Sequence, residues 1–231
     1  MSTNIWNQDY WTDKSSFING YLFNSEKEDP TLINGSMCEL QNVFNILNSI
    51  STEDFINILV EKELEGSNFS AADVPCFSTM LNGMLRLPEL LEFYPEGMTF
   101  QEIGYQMKKQ KNDMACIKYG ENHAKLAAIM SLVTISKSKP AVVAVTSIGH
   151  FLIKYEFAEK AKVLKALLLR DPFVRFLVKH VVMNDESYAD VVSFIKPSTA
   201  YRRMTSVKQL VVFVLENTRY KNKIEEFKWM V

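Results

Sequence analysis

The run Lys196-Pro197-Ser198-Thr199-Ala200-Tyr201-Arg202-Arg203-Met204-Thr205-Ser206-Val207-Lys208-Gln209-Leu210 carries the boundary on which the reading of the chain turns. Pro197 disfavours helix in the residue before it, Ser198 is a favoured N-cap, and Ala200, Met204, Val207, Val211 and Val214 then recur at three- and four-residue spacing. A helix is therefore predicted from Ser198, with one apolar stripe. Thr199, Arg202, Ser206 and Gln209 fall on the opposite side and Arg203 at its edge, near the positive end of the helix dipole. Hydroxyls, guanidinium and amide groups so placed suit phosphate oxygens and base edges. The same pattern also fits a solvated amphipathic helix whose arginines pair with nearby acids.

Outward from this helix, the preceding segment supplies a crossing element. Asp185 to Ile195 predicts a short helix, with Tyr188 to Ile195 as its crossing part, ending before Lys196-Pro197-Ser198. Asp171-Pro172 predicts the cap of another helix, through Phe173, Phe176, Leu177 and Val181, and Ala158 to Arg170 is a further helix. Helix, short helix, tight turn and basic helix is the helix-turn-helix order.

Upstream, Leu87 to Tyr155 predicts three helices and a β-hairpin. The first closes near Tyr94-Pro95, and Thr99 with Glu102 forms a capping box for the second. Lys108, Lys109 and Lys111 make a basic loop, and Asn122 to Leu132 forms the third helix. Val133 to Thr146 reads as two strands around a turn bearing Lys137 and Lys139. This is the winged-helix order, which places Asn122 and Lys125 near the start of the third helix and the two lysines on the wing. A helix packed on a hairpin with a solvated turn is the alternative, since winged helices also bind proteins.

The run Leu169 to Leu177, followed by Ser198-Thr199-Ala200-Tyr201-Arg202-Arg203 and Thr205-Ser206-Val207, resembles a helix-turn-helix domain associated with bacterial restriction and other anti-phage DNA-processing proteins. In that family it typically follows a winged helix, and the resemblance spans about Leu87 to Asn217. It implies a mainly α protein with tandem winged-helix and helix-turn-helix units, a short β-hairpin wing and an N-terminal helical region. The expected division is 1–86, 87–155 and 156–231. The implied function is recognition of double-stranded DNA in a restriction or phage-defence system, with Lys108, Lys109, Lys111, Asn122, Lys125, Lys137, Lys139, Lys196, Ser198, Thr199, Arg202, Arg203, Ser206 and Gln209 toward the DNA. A transcriptional regulator and a protein-interaction scaffold are the alternatives.

The 231 residues, 47% hydrophobic and 23% charged, fall in the ordinary globular range. No basic start followed by an apolar run opens the chain, and no apolar run is long enough to span a bilayer, so a cytoplasmic protein without membrane contact is expected. Cys38, Cys76 and Cys116 are widely spaced and odd in number, which argues against a zinc site or disulfide framework. Charge is divided along the chain. Met1 to Met107 holds four bases against sixteen acids, a net of −12, so the whole-chain −1 leaves +11 for the remainder. Such asymmetry suggests that the second half meets a polyanion, or else that the halves neutralise each other within one fold.

The first 35 residues show no sustained period and predict loops with one short helix. Helices follow over Leu40 to Leu47 and after Ser51, the latter ended by Gly66, and the two are expected to pair as a hairpin. Another helix, carrying Phe77 to Leu85, is expected to break at Pro88. The acidic helices are expected to pack on the winged helix and turn their charged face to a protein partner. His123, His150 and His180 are isolated, and no phosphate loop or nucleophile elbow occurs. Asp171, Glu156, Glu159 and Lys160 imitate a nuclease cluster but fall on helices. No catalytic centre, cofactor or metal is expected, and any chemistry belongs to a partner.

Overall fold

The computed structural model describes residues 5–7, 11–24, 28–62, 69–108 and 112–230. It is mainly helical with one small three-stranded sheet. The chain folds as two compact units. One comprises Glu28–Gln41 and Pro75–Leu164 and holds the sheet. The other assembles Met1–Lys27, Asn42–Val74 and Lys165–Val231.

In the sheet-containing unit the helical backbone runs without a break from Met80 through a π-helical turn, Asn82–Arg86, into α5, Leu87–Leu91. Pro88 does not end it, contrary to expectation. The Leu87 N–H reaches back five residues to the Asn82 carbonyl. This wider turn shifts the carbonyls with which the Pro88 ring would otherwise collide. Strand β1, Met98–Thr99, leads directly into α6, Phe100–Lys108. Glu102 accepts from both the backbone N–H and the hydroxyl of Thr99 at 2.7 Å, completing the predicted capping box.

Helix α7 spans Asp113–Ile129 and is capped by Asn112, whose side chain accepts from the Ala115 N–H. It therefore begins about two and a half turns before the expected start at Asn122. Helices α6 and α7 meet with their backbones nearly touching: a Cβ on Gly104 would stand 2.1 Å from the Cys116 carbonyl oxygen, and one on Gly120 would stand 2.0 Å from that of Phe100. Only residues without side chains fit there. Strands β2, Val133–Ile135, and β3, Val142–Val145, form the expected hairpin. The sheet has the order β1-β3-β2, antiparallel throughout, with Met98 opposite Val143 and Val133 opposite Val145. Thr146 caps α8, Ser147–Ile153, by accepting from the Gly149 N–H. The core of this unit gathers Leu87, Leu91, Ile103, Val143, Ile148 and Phe151.

The second unit starts from residues expected to be loops with one short helix. Helix α1, Lys14–Asn19, runs into a π-helical turn, Gly20–Asn24, and buries Phe17, Ile18, Tyr21 and Leu22. Phe17 and Tyr21 stack at 5.7 Å, Trp6 meets both, and Tyr21 lies 5.5 Å from Phe55. Aromatic rings one helical turn apart carried this signal, but a segment this short has no sustained period. Helix α4, Thr52–Glu61, has the Ser51–Asp54 capping box and packs on α1 and on α10, Pro172–Met183. Gly66, expected to end it, lies outside the described residues.

Asp171 caps α10 as predicted, accepting from Val174 at 3.0 Å. The crossing helix α11 is confined to Tyr188–Val191 and is followed by a five-residue link to α12, Pro197–Leu215. Pro197 takes the first helical position and Lys196 is the N-cap, so Ser198 lies inside the helix and does not cap it. After α12, the short α13, Lys223–Glu226, returns toward α10 and α12.

Candidate nucleic-acid interface

Helix α12 buries a wider stripe than its spacing implies: Ala200, Val207, Val211 and Val214 as expected, with Ser206, Leu210 and Phe213 added. Opposite lies an exposed line of Ser198, Tyr201, Arg202, Thr205 and Lys208, preceded by exposed Lys196. No acidic residue occurs between Lys196 and Leu215. Among the described residues the side chains of Arg202 and Lys196 have no hydrogen-bond or ion-pair partner. Thr199 and Gln209 are half-buried at the margins.

Two expected contact residues are placed elsewhere. Ser206 is only 3% exposed and belongs to the buried side. Arg203 turns away from the free face, and its guanidinium donates to the carbonyl oxygens of Ala71 and, at 2.6 Å, Val74. One position, about 100° around the helix, separates the free arginine from the anchored one.

The first turns of α12 are held by α11. Tyr188 is fully buried, and its hydroxyl donates to the Ala200 carbonyl at 3.1 Å. Burial pushes the phenol up to about 12. The Tyr188 N–H donates to the Lys228 carbonyl at 2.9 Å, which brings Trp229 beneath the Lys208 ammonium at 5.5 Å from the ring centroid. The C-terminal segment thereby bounds the free face at Lys208 and leaves Ser198 to Thr205 as its open part. Tyr201 and Thr205 were not among the predicted contacts. Tyr201 lies three residues after Ser198 and Thr205 three after Arg202, and that spacing is the signal that places them on the same exposed face.

In the other unit, the turn between β2 and β3 is built by its serines. Ser136 accepts from the Val142 N–H at 2.8 Å, the Ser136 and Ser138 hydroxyls are 2.6 Å apart, and Ser138 donates to the Pro140 carbonyl at 2.8 Å. Lys137 and Lys139 project from it, exposed. Helix α7 is less suited to an anion. Lys118 and Lys125 donate to one carboxylate, Glu121, at 2.8 and 2.6 Å. Burial pushes that carboxyl up, but the two lysine hydrogen bonds outweigh it and hold it below its ordinary value. Asn122 is half-buried, and it and Lys125 stand in the second half of the helix. The first turn offers Asp113, which accepts from the Tyr105 hydroxyl, and Met114, 72% exposed. The Lys108 ammonium lies 4.8 Å from the Tyr119 ring centroid. Lys109 and Lys111 are outside the described residues.

The histidines have structural tasks. His123, 1% exposed, faces the Tyr119 carbonyl with Nδ1 at 2.8 Å and the Ser78 hydroxyl with Nε2 at 3.1 Å. A carbonyl only accepts, so in the neutral ring Nδ1 carries the proton. Burial pushes its pKa down, which favours this neutral form. His180 contacts Asp185 at 2.8 Å, and His150 lies 3.5 Å from Glu92. The carboxylates that imitate a nuclease cluster are caps: Asp171 on α10, and Glu159 accepting from the Glu156 N–H at 2.8 Å. Lys160 donates to the Leu152 carbonyl at 2.9 Å. Among the described residues no three metal-ligating side chains gather, and no helix is long and apolar enough to cross a membrane.

Counted by folded unit, the charge division disappears. The sheet-containing unit has eleven bases and eleven acids, and the other has fifteen and sixteen. The acidic first half and basic second half are woven into the same two bodies, so their opposition is internal. Net charge of either unit gives no attraction to a polyanion, and only local faces can. No protein-family model, no curated protein and no solved structure matches the chain.

Proposed function

We propose that the protein binds double-stranded DNA through the open face of α12, with α11 and α12 acting as a helix-turn-helix, and does no chemistry of its own. The acid-free exposed line from Lys196 to Lys208 carries the reading. It combines the cations of Lys196 and Arg202 with hydroxyls and an aromatic ring on one helix wide enough to fill a major groove. The sheet-containing unit supports a winged-helix reading through its order α5-β1-α6-α7-β2-β3, in which the wing lysines touch phosphate. The resemblance of Ser198 to Arg203 favours a recognition component of a restriction or phage-defence system, with catalysis in a partner.

A second reading is favoured by one observation. The exposed side of α7 ties its lysines to Glu121 and leads with Asp113 and Met114, a mixed surface closer to a protein contact than to a phosphate path. The sheet-containing unit would then dock a partner protein while α12 holds DNA.

Fluorescence anisotropy of the full chain with a labelled duplex across a salt series tests the main reading. Log K should fall linearly with log salt, at roughly 0.9 per phosphate neutralised. Absence of duplex binding at low salt overturns it and leaves the protein-binding role.

A further inference from the structure

Among the described residues Tyr201, a large ring 69% exposed, combines a basic setting with a free helix face. Phe93 and Tyr94 lie between Glu92 and Glu96, and Met114 follows Asp113. Tyr201 has Arg202 beside it, Ser198 one turn before it and Thr205 one turn after it, with no acid on its helix. Charge complementarity thus selects a polyanion as the occupant of this face, and the ring must meet something apolar on it.

In the major groove the apolar group offered by the bases is the thymine 5-methyl, while guanine presents the paired acceptors that suit an arginine fork. Resting on the reading of α12 as a DNA-recognition helix, we infer that Tyr201 reads a thymine methyl group beside the base pair addressed by Arg202, and so determines sequence preference. The ring supplies the contact, and its hydroxyl is dispensable. Tyr201 and Arg202 are consecutive on one helix and both point outward, so they address neighbouring base pairs. The target therefore contains a thymine next to an arginine-read guanine.

The test uses full-length protein and a duplex selected by it from a randomised pool. Each thymine is replaced singly by deoxyuridine, which removes only the methyl. One replacement should weaken wild-type binding about fourfold, the factor for burial of one methyl-sized group. Tyr201→Phe should keep that sensitivity, and Tyr201→Ala should lose it while melting at the wild-type temperature. The inference is overturned if no deoxyuridine position matters, if Tyr201→Ala remains sensitive, or if Tyr201→Phe behaves like Tyr201→Ala, which would make the phenol a phosphate contact. Selection of no preferred sequence overturns it as well. Failure of the wild type to bind any duplex overturns the parent reading instead, so the two failures are distinct.

Discussion

Arg203 donates to the backbone carbonyl of Val74 at 2.6 Å, across 129 positions of sequence. A second bond from the same nitrogen reaches Ala71. Truncating it leaves both carbonyls without that donor, so Arg203→Ala should lower stability by about 1–3 kcal/mol. Its neighbour should behave oppositely. Arg202→Ala should stay within about 0.5 kcal/mol of wild-type stability and lose about 1–3 kcal/mol of binding to a preferred duplex. Denaturant melts and anisotropy on both variants check this, and a stable Arg203→Ala would show that the anchor is unnecessary.

Tyr188 predicts an alkaline transition. Its folded pKa of about 12 lies above the ordinary phenol value of 10.0, so the folded state holds its proton longer than the unfolded chain. Its contribution is complete below pH 10 and is lost as pH rises through 12. Lys160 and Lys165, whose pKa values burial lowers, act in the opposite sense, so the comparison must be with Tyr188→Phe. That variant should be less stable at neutral pH by about 0.5–1.5 kcal/mol, and the difference should shrink above pH 10. Urea melts at several pH values measure it, and a gap that widens with pH would contradict the assignment.

The wing should position without reading. Lys139→Ala or Lys137→Ala should weaken binding to every duplex alike and reduce the salt slope by roughly one unit for a lost phosphate contact. Sequence-dependent losses in either variant would move base recognition to the wing.

Glu121→Gln separates α7 from α12 as the DNA face. The substitution removes a negative charge and releases Lys118 and Lys125. With α12 as the interface, affinity should stay within about twofold. A tenfold gain, about 1.4 kcal/mol, would place α7 on the duplex.

The contact of α6 with α7 should tolerate no added carbon. Gly104→Ala and Gly120→Ala each drive a methyl into backbone carbonyl, and no side-chain rotation relieves that. Each should cost about 1–3 kcal/mol or more, read as a lower thermal midpoint.

What the sequence by itself determined lies within a turn or two of chain. The caps at Asp171 and Thr146, and the capping boxes at Ser51 and Thr99, stand where their residues place them, because a cap is closed by an N–H three positions away. The hairpin and the helical character of α12 were legible for the same reason: their periods are local. The start of α12 shifted because Pro197 suits a first helical position and displaced Ser198 from the cap.

Tertiary structure decided the rest. Whether Arg202 or Arg203 is free depends on carbonyls near Ala71 and Val74, far away in the chain. Pro88 passes through a helix because a π turn precedes it. The opposed halves, −12 and +11, become two near-neutral bodies because distant segments are interleaved. Charge adds along a sequence, but attraction acts through distance in space. Only the folded chain determines which charges are neighbours and which cations remain to meet a ligand.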